Sequence, residues 1–186
     1  MRIIAGVWRG RRIAVPDAPG LRPTPDRVRE TLFNWLQGRL LGARVLDLYA
    51  GTGVLGLEAL SRGAGSVLLV ERHPVVAAAL RQTVTMLGAT AASVAAVDAA
   101  ELLQAGPGAV GGAFDLVLAD PPFAAGGQAE LCKLLDDRGW LTSAGWVYLE
   151  GPSAGEPVAL PAPWQQVRAL TAGAVDARLF RVGASP

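Results

Sequence analysis

Short unbroken apolar runs alternate along this chain with longer stretches whose apolar positions recur at three- and four-residue spacing. The runs at 44–49, 66–71, 92–97, 114–119 and 145–150 predict strands buried on both faces. The stretches at 54–62, 75–87, 99–105 and 128–137 predict helices. Such alternation requires a mainly parallel sheet with helices on both faces, because each parallel connection must cross back over the sheet. Residues 151–163 are rich in Gly and Pro, and the last runs, 164–170 and 177–182, leave no room for a helix between them. They are therefore expected to pair antiparallel at one edge, which completes seven strands. Before the first of these strands, residues 2–15 alternate well enough for a β-hairpin turning near Gly6 or Gly10, and 16–23 reads as a Pro/Gly linker. Thr24-Pro25 reads as a cap with proline at the first helical position, so a helix is expected to run to about Leu41.

Charge divides the chain where the pattern does. Residues 1–44 carry nine Arg against Asp17, Asp26 and Glu30, a net +6, and the remainder carries −5, so the formal net charge of +1 conceals a basic end on an acidic body. A basic end of this kind is an electrostatic footprint for nucleic acid. Arg2, Arg9, Arg11, Arg12, Arg22, Arg27 and Arg29 are the candidate RNA-binding residues, with Trp8 interleaved to stack or wedge. Arginine favours bidentate phosphate contacts. Arg27 or Arg29 is also expected to pair with Asp26 or Glu30 along one helix.

Length and composition fit one domain, 1–186, made of a basic extension (1–43) and a catalytic core (44–186). No uncharged apolar run approaches the ~18 residues of a membrane span, and the start is too short in apolar residues for a signal peptide. A soluble cytoplasmic monomer is expected. Cys132 and His73 are each the only residue of their kind, so neither a disulfide nor a Cys/His metal cluster can be assembled within the chain, and no metal is expected. His73, just before Pro74, suits a helix entry.

Within the core, Val45-Leu46-Asp47-Leu48-Tyr49-Ala50-Gly51-Thr52-Gly53-Val54-Leu55-Gly56 runs from an apolar strand through a glycine turn into a helix. This is the opening of a Rossmann-like nucleotide-binding unit, and Glu71 follows Gly51 by 20 residues at the end of the next apolar run. Both NAD and S-adenosylmethionine readings use such an acid on ribose hydroxyls, so the glycines alone do not choose. Asp47 does. A carboxylate there would repel a pyrophosphate at the helix N-terminus but could hold the ammonium of a methionine moiety. The cofactor candidates are Asp47, Tyr49, Ala50, Gly51, Thr52, Gly53, Glu71, Arg72, Asp98 and Ala99. Asp98 suits either the adenine amino group or an ordinary helix N-cap.

Asp120-Pro121-Pro122-Phe123 follows the apolar run Phe114–Ala119 and supplies the candidate catalytic residues. Consecutive prolines hold the backbone extended and offer no N–H, so the outward groups are acceptors: the Asp120 carboxylate and backbone carbonyls. Such a row suits an exocyclic amine, and Phe123 offers a face for a nucleobase, a contact worth roughly 1–3 kcal/mol.

These blocks together resemble the RsmD-type bacterial ribosomal RNA guanine-N2 methyltransferases over nearly the whole chain. The resemblance is carried by Arg2-Ile3-Ile4-Ala5-Gly6, Trp8-Arg9-Gly10-Arg11, Pro19-Gly20-Leu21-Arg22-Pro23-Thr24, Asp26–Leu36, Leu46–Arg62 and Asp120–Phe123. It thins from about Gly151, and Phe180 stands where many relatives have Tyr. The resemblance implies a class I methyltransferase α/β fold, S-adenosyl-L-methionine as cofactor, and 16S ribosomal RNA as partner, in the small subunit or an assembly intermediate. It implies methylation of the N2 of a guanine, of the 16S rRNA guanine-966 type. Asp120, ionised at neutral pH if its pKa is the ordinary ~3.9, and the Pro121 carbonyl would hold the two amine hydrogens while proximity and orientation lower the barrier. The base must first leave its stack. Three other readings stay open: an NAD-dependent oxidoreductase, a catalytically inactive RNA-binding protein, and an amino-methyltransferase acting on adenine N6 or a protein amide.

Overall fold

The computed structural model describes residues 1–16, 24–121, 127–154 and 158–183. Seven strands form one sheet in the order β3-β2-β1-β4-β5-β7-β6. They are β1 (Arg44–Asp47), β2 (Ser66–Val70), β3 (Ala92–Ala95), β4 (Phe114–Ala119), β5 (Leu141–Pro152), β6 (Trp164–Ala172) and β7 (Val175–Val182). The first five pair in parallel, and β7 joins β5 and β6 antiparallel, as the sequence pattern predicts. Five helices cover the sheet: α1 (Asp26–Trp35), α2 (Val54–Ser61), α3 (Pro74–Leu87), α4 (Ala99–Ala105) and α5 (Gly127–Asp137). Val28, Leu32, Leu57 and Leu80 of α1, α2 and α3 pack with Val45, Leu69, Leu118 and Tyr148 on one face. Leu103 of α4 and Leu135 of α5 pack with Leu46, Val117, Leu149 and Phe180 on the other.

Three boundaries differ from the sequence expectation. The helix expected to reach Leu41 stops at Trp35, because Gly38 turns the chain with φ +79° and Leu41 ends in solvent. The N-terminal hairpin closes through a single antiparallel bridge, Arg2 to Arg12, around a wide loop in which both Gly6 and Gly10 have φ +80°. β5 begins at Leu141 and not at 145, since its small polar residues Thr142 and Ser143 hide a strand that is irregular against β4 between Phe114 and Leu116.

The basic extension is part of the same core. Ile3 and Ile13 are buried with α1 and α2, and Glu58 of α2 is wholly buried beneath the N-terminal loop. Its carboxylate accepts from the amides of Ile4 (2.7 Å) and Ala5 (2.9 Å) and from Arg62 Nε (2.7 Å). Ser61 closes the same seam, accepting from the Trp8 amide on its hydroxyl and from the Val7 amide on its carbonyl. A methyl group on Gly6 would lie 1.8 Å from that carbonyl, so only glycine permits the contact. No helix among the described residues is long and apolar enough to cross a membrane.

Candidate active site

β1 has β2 on one side and β4 on the other, so the sheet order reverses beside β1, and the crevice at its carboxyl end is the expected ligand site of such folds. The chain enters that crevice through the glycine turn. Gly51 and Gly53 take φ +51° and +76°, and the Gly53 amide closes the turn onto the Ala50 carbonyl at 2.6 Å. Gly56 lets α2 lie on the sheet, since a methyl group there would come within 2.5 Å of Leu69 and 2.8 Å of Val67. Gly51 and Gly53 thus serve the tight turn, and Gly56 serves the packing of α2 on the sheet.

Carboxylates ring the crevice. Asp47 ends β1 and accepts from the Gly56 amide at 2.9 Å. Glu71 follows β2 and bridges two segments, accepting from the amides of Gly51 (3.0 Å) and His73 (2.7 Å). Asp98 caps α4 by accepting from the Ala100 amide at 2.8 Å, while its other oxygen faces Arg72 at 3.7 Å. Of the two roles open to Asp98, the cap is therefore occupied through one oxygen. Tyr49 is half-buried beside both, its hydroxyl pKa raised by burial and then by Asp98. Thr52 is buried in the turn, its hydroxyl 3.6 Å from the Met1 sulfur, and Ala50 and Ala99 are buried beside it and in α4. His73 is the N-cap residue of α3, ahead of Pro74.

Asp120 follows β4 and is half-buried, Pro121 is buried, and Pro122, Phe123 and Arg22 lie outside the described residues. Among the described residues nothing donates a hydrogen bond to the Asp120 carboxylate. The ordinary ionised state expected from sequence does not hold: burial first, then the negative charges of Glu150 and Asp47, push Asp120 up to about 8. Asp47 is pushed up to about 7 by burial, against the Gly56 hydrogen bond, with Glu71 and Glu150 adding to the rise. The crevice therefore holds more negative charge than it can keep ionised, which fits a cationic ligand and opposes a pyrophosphate.

Glu150 was not a sequence candidate. It lies near the end of β5, is only 2% exposed, and one carboxylate oxygen accepts from both the Thr24 hydroxyl (3.0 Å) and the Tyr148 hydroxyl (2.8 Å). Its signal was present: an acid closing an apolar run, like Asp47, Glu71 and Asp120. Thr24, read as a helix cap, turns its hydroxyl to Glu150, and Pro25 takes the N-cap position instead.

The candidate RNA-binding residues divide. Arg2, Arg9, Arg11, Arg12 and Arg27 are exposed, and no carboxylate among the described residues pairs with them. Arg2 and Arg12 oppose each other across their bridge, a like-charge pairing that an anion would relieve. Trp8 is half-buried against the core. Arg29 is a correction as an RNA-binding candidate but bears out the expected pairing along α1: it is wholly buried, donating to Asp26 at 2.6 Å and to the Arg2 carbonyl at 3.1 Å, so it holds the fold.

A cationic cofactor has a measurable consequence in this crevice. Carboxyls whose pKa is raised in the free protein return toward ordinary values when a positive charge arrives, so the complex carries fewer protons than the free protein. Affinity for S-adenosylmethionine should then rise with pH from the ordinary carboxyl range, ~4, up to ~8, by up to about tenfold per unit for each proton released, and level off above. Titration calorimetry in buffers of different ionisation enthalpy counts the protons. S-adenosylhomocysteine, which lacks the sulfonium, should release fewer, and no release with either ligand would contradict the account.

The family model described as "Conserved hypothetical protein 95" matches residues 1–181. The ribosomal RNA small subunit methyltransferase D of Escherichia coli K12 is 43% identical over 181 residues, 97% of this chain and 89% of that protein. A solved putative methyltransferase from Escherichia coli superposes with TM-score 0.90 at 40% identity, over 100% of this chain and 99% of that one. The fold alone, at 16% identity and TM-score 0.61, is shared with a putative methyltransferase solved in complex with SAH, over 84% of this chain and 48% of that one. The chain thus belongs to the family of ribosomal RNA small subunit methyltransferase D and is an enzyme of the methyltransferase class.

Proposed function

We propose that this enzyme transfers a methyl group from S-adenosylmethionine to the exocyclic N2 of a guanine in 16S ribosomal RNA. The observation that carries the reading is the half-buried Asp120 carboxylate, which receives no hydrogen bond from any described residue, inside a cluster of acids at the carboxyl edge of the sheet. When bound, the cofactor supplies an electrophilic methyl group on a cationic sulfonium. Asp47 would accept from its ammonium, and Glu71, with acceptor capacity left over, from its ribose hydroxyls. Asp120 and the Pro121 carbonyl accept from the two amine hydrogens, which turns the nitrogen lone pair toward the methyl. As the sulfur–methyl bond breaks to leave a neutral thioether, the new N–C bond would make the nitrogen acidic, and its proton would pass to the Asp120 carboxylate. Pro122 and Phe123 keep the roles that the sequence suggests, rigidity and base stacking. An NAD-dependent reading would set a pyrophosphate among these carboxylates and has no comparable support.

The exposed arginines of the N-terminal loop are the proposed grip on RNA phosphates. Replacing Arg9, Arg11 and Arg12 together by Ala should weaken RNA binding and lower the log-log salt slope by about 0.7 for each single-strand phosphate that is no longer neutralised. Cofactor affinity should not change. An unaltered slope would show that these arginines do not meet phosphate. The activity itself is tested by tritium transfer from labelled S-adenosylmethionine to small-subunit RNA. Label on RNA is the expected result, and label only on protein contradicts the RNA assignment.

A further inference from the structure

Two buried polar ties run through the start of α1 and its first turns. Thr24, just ahead of α1, donates to Glu150 beside the catalytic edge. Arg29, within α1, donates to the Arg2 carbonyl and approaches Glu58 at 3.8 Å. The first tie reaches the strand end next to Asp120, and the second reaches the arginine-bearing N-terminal loop.

The placement of Glu150 next to Asp120 follows from strand register. β4 and β5 pair Leu118 with Tyr148 and Ala119 with Leu149, so Asp120 and Glu150 are the next positions in a parallel ladder. Leu118 and Tyr148 face the α1–α3 side, while Ala119 and Leu149 face away. Strand alternation then returns both acids to the α1 side. Glu150 is also fixed at its backbone, where its carbonyl accepts from Gln128 Nε2 at 2.6 Å. Burying a carboxylate and two hydroxyls costs more than filling the same volume with apolar atoms. A network of this kind in this place therefore points to a task beyond packing.

We infer that Glu150 is a positioning residue for methyl transfer: by binding the Thr24 hydroxyl it fixes α1, and with it the basic N-terminal loop, relative to Asp120. An RNA held by that loop then presents its splayed base at a set distance from the Asp120 acceptor. The groups that face Glu150 are Thr24 ahead of α1, Tyr148 on its own strand, Asp120 after β4 and Asp47 at the end of β1. This inference rests on the methyl transfer proposed above.

The test uses the full-length protein and small-subunit RNA with labelled S-adenosylmethionine. Thr24→Val keeps the shape and removes the hydrogen bond to the carboxylate, and should lower kcat by about tenfold with cofactor affinity held within about twofold. Thr24→Ser restores the hydroxyl and should recover most of the rate. Glu150→Gln keeps an oxygen for both hydroxyls but removes the charge beside Asp120. It should preserve the rate at high pH and move the acid limb of the kcat profile to lower pH, because Asp120 then ionises more readily. Thermal unfolding of each variant separates loss of fold from loss of rate. If Thr24→Val lowers only the melting temperature, or if Thr24→Ser does not recover the rate, Glu150 is a structural residue and the inference fails. Methyl transfer by the unmodified protein is the control for the underlying reading: its absence would overturn that reading, and with it this one, whereas a wild-type rate with unmoved variants overturns the inference alone.

Discussion

Asp120→Ala should fold, bind S-adenosylmethionine and lose methyl transfer by roughly 10²–10³, the loss typical of removing one preorganised polar group from a catalytic site. The side chain is half-buried and receives no hydrogen bond from any described residue, so alanine leaves no described donor unpaired. Its removal also relieves like-charge repulsion with Glu150 and Asp47, so the cofactor-free variant should be at least as stable as the parent above neutral pH. The sign follows from the raised pKa: a carboxyl at about 8 in the fold binds its proton more tightly than in the unfolded chain, and this disfavours the fold as pH rises past the ordinary carboxyl range. Asp120→Asn should retain partial activity, because its amide oxygen still accepts from the amine. Single-turnover rates at saturating cofactor measure the chemical step. A rate within a few fold of the parent for Asp120→Ala would remove Asp120 from the mechanism.

Glu58→Ala should cost about 3–5 kcal/mol of stability, because it breaks a buried charged cluster by taking one partner away. Left behind are the amides of Ile4 and Ala5 without their acceptor, and Arg29, wholly buried, with only Asp26 and the Arg2 carbonyl. Arg29 Nε already has no hydrogen-bond partner among the described residues. Urea unfolding should show the loss in the midpoint, and amide exchange should rise first at Ile4 and Ala5, where the N-terminal loop leaves α2. A change below about 1 kcal/mol would mean that the loop is not anchored to the core through Glu58.

The parallel half of the sheet was legible in the sequence because its central strands, β1, β2 and β4, are largely buried on both faces and read as mostly apolar runs. Gly51, Gly53 and Gly56 were legible for a similar reason, since each backbone demand there excludes other residues. What escaped was set by tertiary neighbours. Glu58 sits inside the apolar stretch of α2, where an acid would ordinarily mark the solvent face; only the docking of residues 4 and 5 shows why it is buried. Glu150 stood at the end of an apolar run like the other acids, yet its meaning depends on Thr24, 126 positions away. The same applies to the ionisation of Asp120, which no local motif conveys, because Asp47 and Glu150 reach it from different strands. Arg29 shows the converse, as a charge count along the chain cannot tell an arginine that faces RNA from one that ties α1 to Arg2.

The central claim, methyl transfer to a guanine N2, is tested most directly by mass spectrometry of nucleosides from 16S RNA. Small subunits are taken from cells lacking the gene and from the same cells with it restored, and compared with and without Asp120→Ala in the restored copy. N2-methylguanosine should be absent without the gene, return with the intact protein and stay absent with Asp120→Ala. An unchanged N2-methylguanosine level across all three, or N6-methyladenosine as the modification that follows the gene, would contradict it.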